Sequence, residues 1–257
     1  MKVKVLGCNG GQSPKVFTSC YLIEDHILID AGAVCLNLDL EEQRKIDYAL
    51  ITHTHLDHIK DLAFLADNLC GARQNPLTIY GSKETILGLK THIFNDIIWP
   101  DFTVIPSPEQ PILKLEVIPT DGSVIDISGF QIKAIPVNHI PGSVGYVVTR
   151  DEKTIVFTGD TARTEQIWKQ AQQAKDLKAI FTEISFPSSM KELADLSQHF
   201  CPQTFQQELK KLAGIEAPIY VSHFKPGLEG PLKREIKDRN LAKLGVHILK
   251  QGSNFKF

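Results

Sequence analysis

Thr52-His53-Thr54-His55-Leu56-Asp57-His58 is the stretch that decides how this chain is read. Three imidazoles and one carboxylate fall within six consecutive positions, His53 to His58. Imidazole nitrogen and carboxylate oxygen are the donors that zinc and its first-row neighbours favour. The run follows the apolar stretch Ile46 to Ile51, which has the character of a buried strand. It therefore falls on a loop at a strand end, where side chains can converge. His53 and His55 can share one ion while Asp57 and His58 face a second. The spacing differs from H-E-x-x-H, so the helical metalloprotease pattern is excluded.

Working outward, Asp47–Ile51 is the strand that delivers the histidines. Ile59, Leu62, Ala63, Leu65, Ala66 and Leu69 recur at helical spacing and predict a helix over Ile59–Cys70. Strands are expected at Lys2–Leu6, Ser19–Ile23, His26–Ile29 and Leu77–Tyr80, and a helix over Lys83–Ile98 that stops before Pro100. A β-rich middle follows: Ile112–Ile118, Val124–Ile127, Phe130–Val137, Ser143–Arg150 and Thr154–Phe157. After residue 160, helices Glu165–Ala174, Pro202–Leu212 and Leu232–Leu241 alternate with strands Ala179–Thr182, Pro218–Val221 and Val246–Leu249. With no low-complexity linker, the chain reads as a single hydrolase domain over residues 1–257. Its class is α/β: two packed sheets with helices outside, a four-layer αββα sandwich.

The 257 residues are 42% hydrophobic and 23% charged, an ordinary globular composition. A net charge of −2 gives no global field that would favour nucleic acid or an anionic membrane. Met1-Lys-Val-Lys-Val-Leu-Gly7 lacks the apolar core of a signal peptide and reads as a first strand. No apolar run is long enough to span a bilayer. Five scattered cysteines without a C-x-x-C pair fit reduced thiols and a cytoplasmic location. Metal ligation by Cys8 or Cys20 is not expected.

A two-ion site needs about three or four ligands per ion and a bridging group. Further donors stand where strands hand over to loops. His139 follows Phe130–Val137, Asp160 follows Thr154–Phe157, His223 follows Pro218–Val221 and Asp30 follows His26–Ile29. Alone, a strand-terminal Asp reads as a turn or cap residue. The order H-x-H-x-D-H, then His, Asp and His, is what joins them.

That order resembles the metallo-β-lactamase superfamily over nearly the whole chain, and the resemblance implies the αββα sandwich with ions at the sheet edge. It assigns His53, His55 and His139 to one ion and Asp57, His58 and His223 to the other, with Asp160 bridging. Asp30 matches an acidic residue that supports such a site by accepting a ligand histidine's N–H. His55 stands where redox-active diiron relatives carry Glu, which favours hydrolysis. Relatives with Cys in place of a site-two ligand hydrolyse β-lactams; this chain has Asp160.

Four segments are similar to class II cyclic-nucleotide phosphodiesterases: His53–Ile59, His92–Phe102, Phe181-Thr-Glu-Ile-Ser-Phe-Pro187, and Ser222-His-Phe-Lys-Pro226. The chain departs from that pattern at Asp61, where a small Gly or Ser is favoured, and in lacking a Ser near residue 66. The resemblance implies a dinuclear phosphodiesterase converting 3′,5′-cyclic nucleotides (cAMP or cGMP) to 5′-nucleotides through a metal-bridging hydroxide. Its cofactors would be two divalent ions, zinc first, with manganese or iron fitting the same donors. Asp57, Asp160 and Glu183 are its catalytic candidates. His92, Trp99, Phe102 and Lys225 are candidates for binding substrate: Trp99 and Phe102 for base stacking, Lys225 for phosphate; the proton for the 3′ oxygen is open among Glu183, His92 and a metal-bound water. His26, His199 and His247 find no partner and read as structural or exposed. The expected partner is a small cyclic nucleotide, not nucleic acid or membrane, and a homodimer is allowed. Alternative readings are a tRNA 3′-processing-like nuclease, another ester or thioester hydrolase of the same fold, and a non-catalytic metal- or nucleotide-binding protein.

Overall fold

In the computed structural model, which describes residues Met1–Phe257, the short apolar runs form sixteen strands. In chain order the first are β1 (Lys2–Gly7), β2 (Cys20–Ile23), β3 (Ile27–Ile29), β4 (Tyr48–Leu50) and β5 (Leu77–Gly81). A small hairpin, β6 (Pro106–Ser107) and β7 (Gln110–Pro111), precedes β8 (Leu113–Val117). Then come β9 (Ile125–Ile127), β10 (Phe130–Pro136), β11 (Val144–Arg150), β12 (Lys153–Phe157), β13 (Asp176–Glu183), β14 (Ile219–Ser222), β15 (Val246–Ile248) and β16 (Asn254–Lys256).

They build two seven-stranded sheets, ordered β16-β1-β2-β3-β4-β5-β8 and β15-β14-β13-β12-β11-β10-β9. Each sheet is antiparallel on one side and parallel on the other: β3-β4-β5-β8 and β12-β13-β14-β15 run parallel. The two inner faces meet in a core of Val3, Val5, Ile27 and Ile29 against Ile132, Tyr146, Phe157 and Phe181. On the outer faces lie helix-bearing cores, one around Leu62, Leu65 and Leu69, the other around Trp168, Phe205 and Leu232. The αββα architecture is thus observed. Tyr146 ties the layers beside the histidine run: fully buried in β11, its hydroxyl donates to the Ile51 carbonyl at 2.8 Å.

Several boundaries differ from expectation. The helix begun at Lys83, capped by Ser82 Oγ accepting from Thr85 N at 3.1 Å, ends at His92 rather than Ile98. Asn95 stops it, because its side-chain oxygen takes the N–H groups of Ile97 and Ile98 at 3.0 and 2.8 Å, offering the backbone an alternative to the helix. The expected Ile59–Cys70 helix divides into Leu56–Ile59 and Asp61–Leu69. β13 begins at Asp176, earlier than Ala179. The helix Lys191–Leu196 and strand β16 were not anticipated.

Candidate metal centre

Both sheets hand their chains to loops at one common edge. β3 ends at Asp30, β4 leads into His53–His58, β10 into His139, β12 into Asp160, and β14 into His223. Asp30 (φ 57°) and His223 (φ 66°) adopt left-handed backbone, a conformation uncommon outside glycine and often found at functional turns.

The expected ligand residues come together. His53, His55, His139 and Asp160 form one group of potential ligands, Asp57, His58 and His223 a second. Asp160 Oδ2 lies between them, 3.7 Å from His53 Nε2, 3.9 Å from His139 Nε2, 3.2 Å from His58 Nε2 and 3.1 Å from His223 Nε2. Asp57 Oδ2 is 3.6 Å from His223 Nε2 and 4.0 Å from His58 Nε2. His53, His58, His139, Asp160 and His223 are buried; His55 and Asp57 reach the surface.

The nitrogens are presented in the form a metal requires. Asp30 accepts from His58 Nδ1 at 2.7 Å and from the Thr52 hydroxyl at 2.9 Å, so that hydroxyl accepts in turn from His53 Nδ1 at 3.0 Å. His139 Nδ1 donates to the Gln198 carbonyl at 3.1 Å. These bonds fix each ring and turn Nε2 toward the cluster. The buried Nε2 atoms of His53 and His58 have no hydrogen-bond partner. Buried ring nitrogens without a partner are rare unless something else claims them. The donor set fits one or more divalent cations.

The electrostatics agree. Burial holds His53 well below the ordinary imidazole value and His139 down to about 4; it also lowers His55. All three are therefore neutral imidazoles at pH 7, the form in which a histidine can bind a metal. Burial works against charge on His58, yet the Asp160 and Asp30 carboxylates outweigh it and raise its pKa well above normal. Burial likewise disfavours the Asp160 and Asp57 carboxylates. Their histidine neighbours His223 and His58 overcome it and hold both below the usual range. Without a metal, the site draws in protons where cations would sit.

One residue was missed. His199, read as structural or exposed, is buried at the cluster's side, its ring 4.7 Å from that of His139 and 5.4 Å from that of His223. It also groups with Asp160 and His223 as a potential ligand. Its Nδ1 donates to Glu183 Oε1 at 2.7 Å. Burial lowers its basicity, but Glu183 more than compensates and its pKa is raised. Glu183 also accepts from Thr161 N at 3.2 Å and Ser185 Oγ at 2.8 Å. Its carboxylate is thus committed to holding His199 and the loop after Asp160, so its geometry is that of a positioning residue. Nothing in the Ser197-Gln198-His199-Phe200 run signalled this, because His199 follows a short helix rather than a strand.

Of the substrate candidates, only Lys225 joins the cluster, its Nζ donating to His223 Nε2 at 3.3 Å. Phe102 is corrected: it is 3% exposed, packed in a core, and offers no face to a base. Trp99 packs edge-on against Phe64 with ring centroids 5.3 Å apart. His92 is exposed at the helix end and bonds to no member of the cluster.

Fold and site together define a metal-dependent hydrolase of the metallo-β-lactamase fold. Residues 38–230 match the family model described as class-II cAMP phosphodiesterases, and the chain belongs to that family. It is 24% identical over 306 positions to a probable 3′,5′-cyclic-nucleotide phosphodiesterase of Yersinia pestis, covering 98% of this chain and 84% of that protein. It is 28% identical to 3′,5′-cyclic-nucleotide phosphodiesterase 1 of Saccharomyces cerevisiae over 79% of this chain, which spans 65% of the yeast protein's length. The crystal structure of unliganded yeast PDE1 superposes with a TM-score of 0.79 at 22% identity, covering 100% of this chain and 99% of that one. The metallo-β-lactamase fold protein YhfI of Bacillus subtilis gives 0.73 at 21% identity, covering 99% of each chain.

Proposed function

We propose that this chain, acting as one hydrolase domain, converts 3′,5′-cyclic nucleotides, cAMP or cGMP, to 5′-nucleotides at a centre of two divalent ions. The observation that carries the reading is the pair of ligand groups joined at Asp160, with two buried imidazole nitrogens left unpartnered. His53, His55 and His139 would hold one ion, Asp57, His58 and His223 the other, and Asp160 both. Zinc is the metal of choice for this nitrogen and oxygen donor set, with manganese and iron as variants. Ions held there would supply Lewis acidity toward phosphate and a water of lowered pKa.

The chain's own residues supply the rest. Asp30 and Thr52 keep the His53 and His58 rings turned inward. Opening the cyclic phosphate leaves a 3′ oxygen that must gain a proton, and a sugar alkoxide is a poor leaving group without one. His199 lies beside Asp160 and His223 and is held through Nδ1 by Glu183, which supports a role as the donor of that proton from Nε2. No helix is long and apolar enough to cross a membrane. All five cysteines are free thiols, the state that a reducing compartment such as the cytoplasm maintains.

The test is turnover of metal-reconstituted protein on cAMP, cGMP and bis(p-nitrophenyl) phosphate, with His199→Asn and Asp160→Ala alongside. Asp160→Ala abolishes all three activities. His199→Asn lowers cyclic-nucleotide turnover by about 10²–10⁴, the usual worth of a positioned acid. It costs the chromogenic ester far less, because p-nitrophenolate departs unprotonated. Cleavage of the chromogenic ester alone would move the substrate to another phosphodiester, RNA included. Loss of metal from His199→Asn would make His199 a ligand instead.

A further inference from the structure

Lys225 is the only lysine or arginine bonded to a member of the histidine–aspartate cluster, and it contacts a nitrogen with three claimants. His223 Nε2 lies 3.3 Å from Lys225 Nζ, 3.1 Å from Asp160 Oδ2 and 3.6 Å from Asp57 Oδ2. The other face of the imidazole is committed, since Nδ1 meets Ser19 Oγ at 3.3 Å. The lysine backbone is pinned: its N–H donates to the Ser185 carbonyl at 3.3 Å, and its carbonyl accepts from Leu228 N at 3.0 Å. The side chain is half-buried. Only the four-carbon stem is free to move, and the ammonium has donors to spare. A cation other than a metal thus stands against His223, one of the three side chains that would take the ion of the Asp57–His58–His223 group.

We propose that Lys225 couples anion binding to metal retention. Its ammonium competes with a divalent ion for His223. When a phosphate-type anion enters, the ammonium turns to it. This inference rests on the two-ion reading of the site. With the ion bound and no anion present, two like charges crowd one carboxylate-lined site and repel. An anion's oxygens accept the lysine's N–H groups as charge-assisted bonds and remove that repulsion. By linkage, the anion then tightens the ion by the same factor that the ion tightens the anion. The second ion is held firmly while substrate or product is present and loosely when the enzyme is idle.

The experiment uses the whole chain, Mn²⁺ and inorganic phosphate, and needs no turnover. Free Mn²⁺ is followed by its electron paramagnetic resonance signal during titration, with and without phosphate, for wild type and Lys225→Met. Methionine keeps an unbranched apolar stem and deletes the charge. Wild type should take up two ions, the second at least tenfold more tightly in phosphate. Lys225→Met should bind the second ion at least tenfold more tightly without phosphate, and phosphate should then change it less than threefold. An unchanged first-ion affinity shows that the variant is folded. Equal phosphate dependence in both proteins overturns the coupling, because the anion would then act through the ions alone. A single ion at saturation overturns the two-ion reading and this inference with it. Each readout is a binding constant, so the coupling stands or falls separately from hydrolysis of cyclic nucleotides.

Discussion

Replacing Asp30 by alanine removes one acceptor from three buried donors. Asp30 is 2% exposed and accepts from Thr52 N at 2.8 Å, from the Thr52 hydroxyl at 2.9 Å and from His58 Nδ1 at 2.7 Å. The hydroxyl can rotate to a new partner; the amide and the imidazole cannot. Each stranded buried donor costs about 1–3 kcal/mol. Alanine at the left-handed φ of 57° adds about 1–2 kcal/mol. The metal-free protein should therefore lose roughly 3–8 kcal/mol, a large share of the ~5–15 kcal/mol typical of a folded domain. Asparagine tolerates that backbone and retains one acceptor oxygen, so Asp30→Asn should lose about half as much. Loss of the bond that aims His58 should also weaken metal binding about 10–100-fold. Urea unfolding of metal-free protein followed by circular dichroism reads the first effect, and competition with a chelating dye the second. Metal-free Asp30→Ala within about 1 kcal/mol of wild type, at unchanged metal affinity, would refute the assignment of Asp30 as the anchor of this site.

Two further outcomes follow from packing and burial. A Cβ at Gly32 would come within 2.0 Å of the Asp57 carbonyl and 2.6 Å of Thr18 Oγ1. Gly32→Ala should thus lower stability by about 1–3 kcal/mol or more in thermal melts and weaken metal binding on the Asp57 side of the cluster. Burial pushes the Cys8 and Cys35 thiols up to about 12, so at pH 8 only about 10⁻⁴ of either is the reactive thiolate. A thiol reagent should show one fast phase from exposed Cys70. Because Cys8 and Cys35 titrate far above pH 8, each unit of added pH should speed their slow phase about tenfold. Two or more thiols in the fast phase would contradict this burial pattern.

Much of the centre was legible in the sequence for one physical reason. His53–His58, His139, Asp160 and His223 each come directly after an apolar strand, and strand ends gather at a sheet edge. His199 was not legible because only its bond to Glu183 places it, and such a pairing leaves no trace in local periodicity. β16 escaped notice because its residues are exposed or half-buried and it is held to β1 by backbone pairing. Phe102 misled because an aromatic in a turn-rich segment looks the same whether it faces ligand or core. Asp61, the departure from the family pattern, has its own explanation: its carboxylate accepts from Cys35 N at 2.9 Å and from Lys60 Nζ at 2.8 Å.

The ligand loops grow from two rigid sheets, but His199 rides on a segment outside both, between the short helix Lys191–Leu196 and the helix Pro202–Glu208. That segment is nevertheless tied to the frame, because the Gln198 carbonyl beside His199 holds the His139 ring. A designer who spliced a different stretch between Phe186 and Pro202 would have to supply again a carbonyl where Gln198 now holds His139, or the new segment would change the metal grip along with the chemistry beside it.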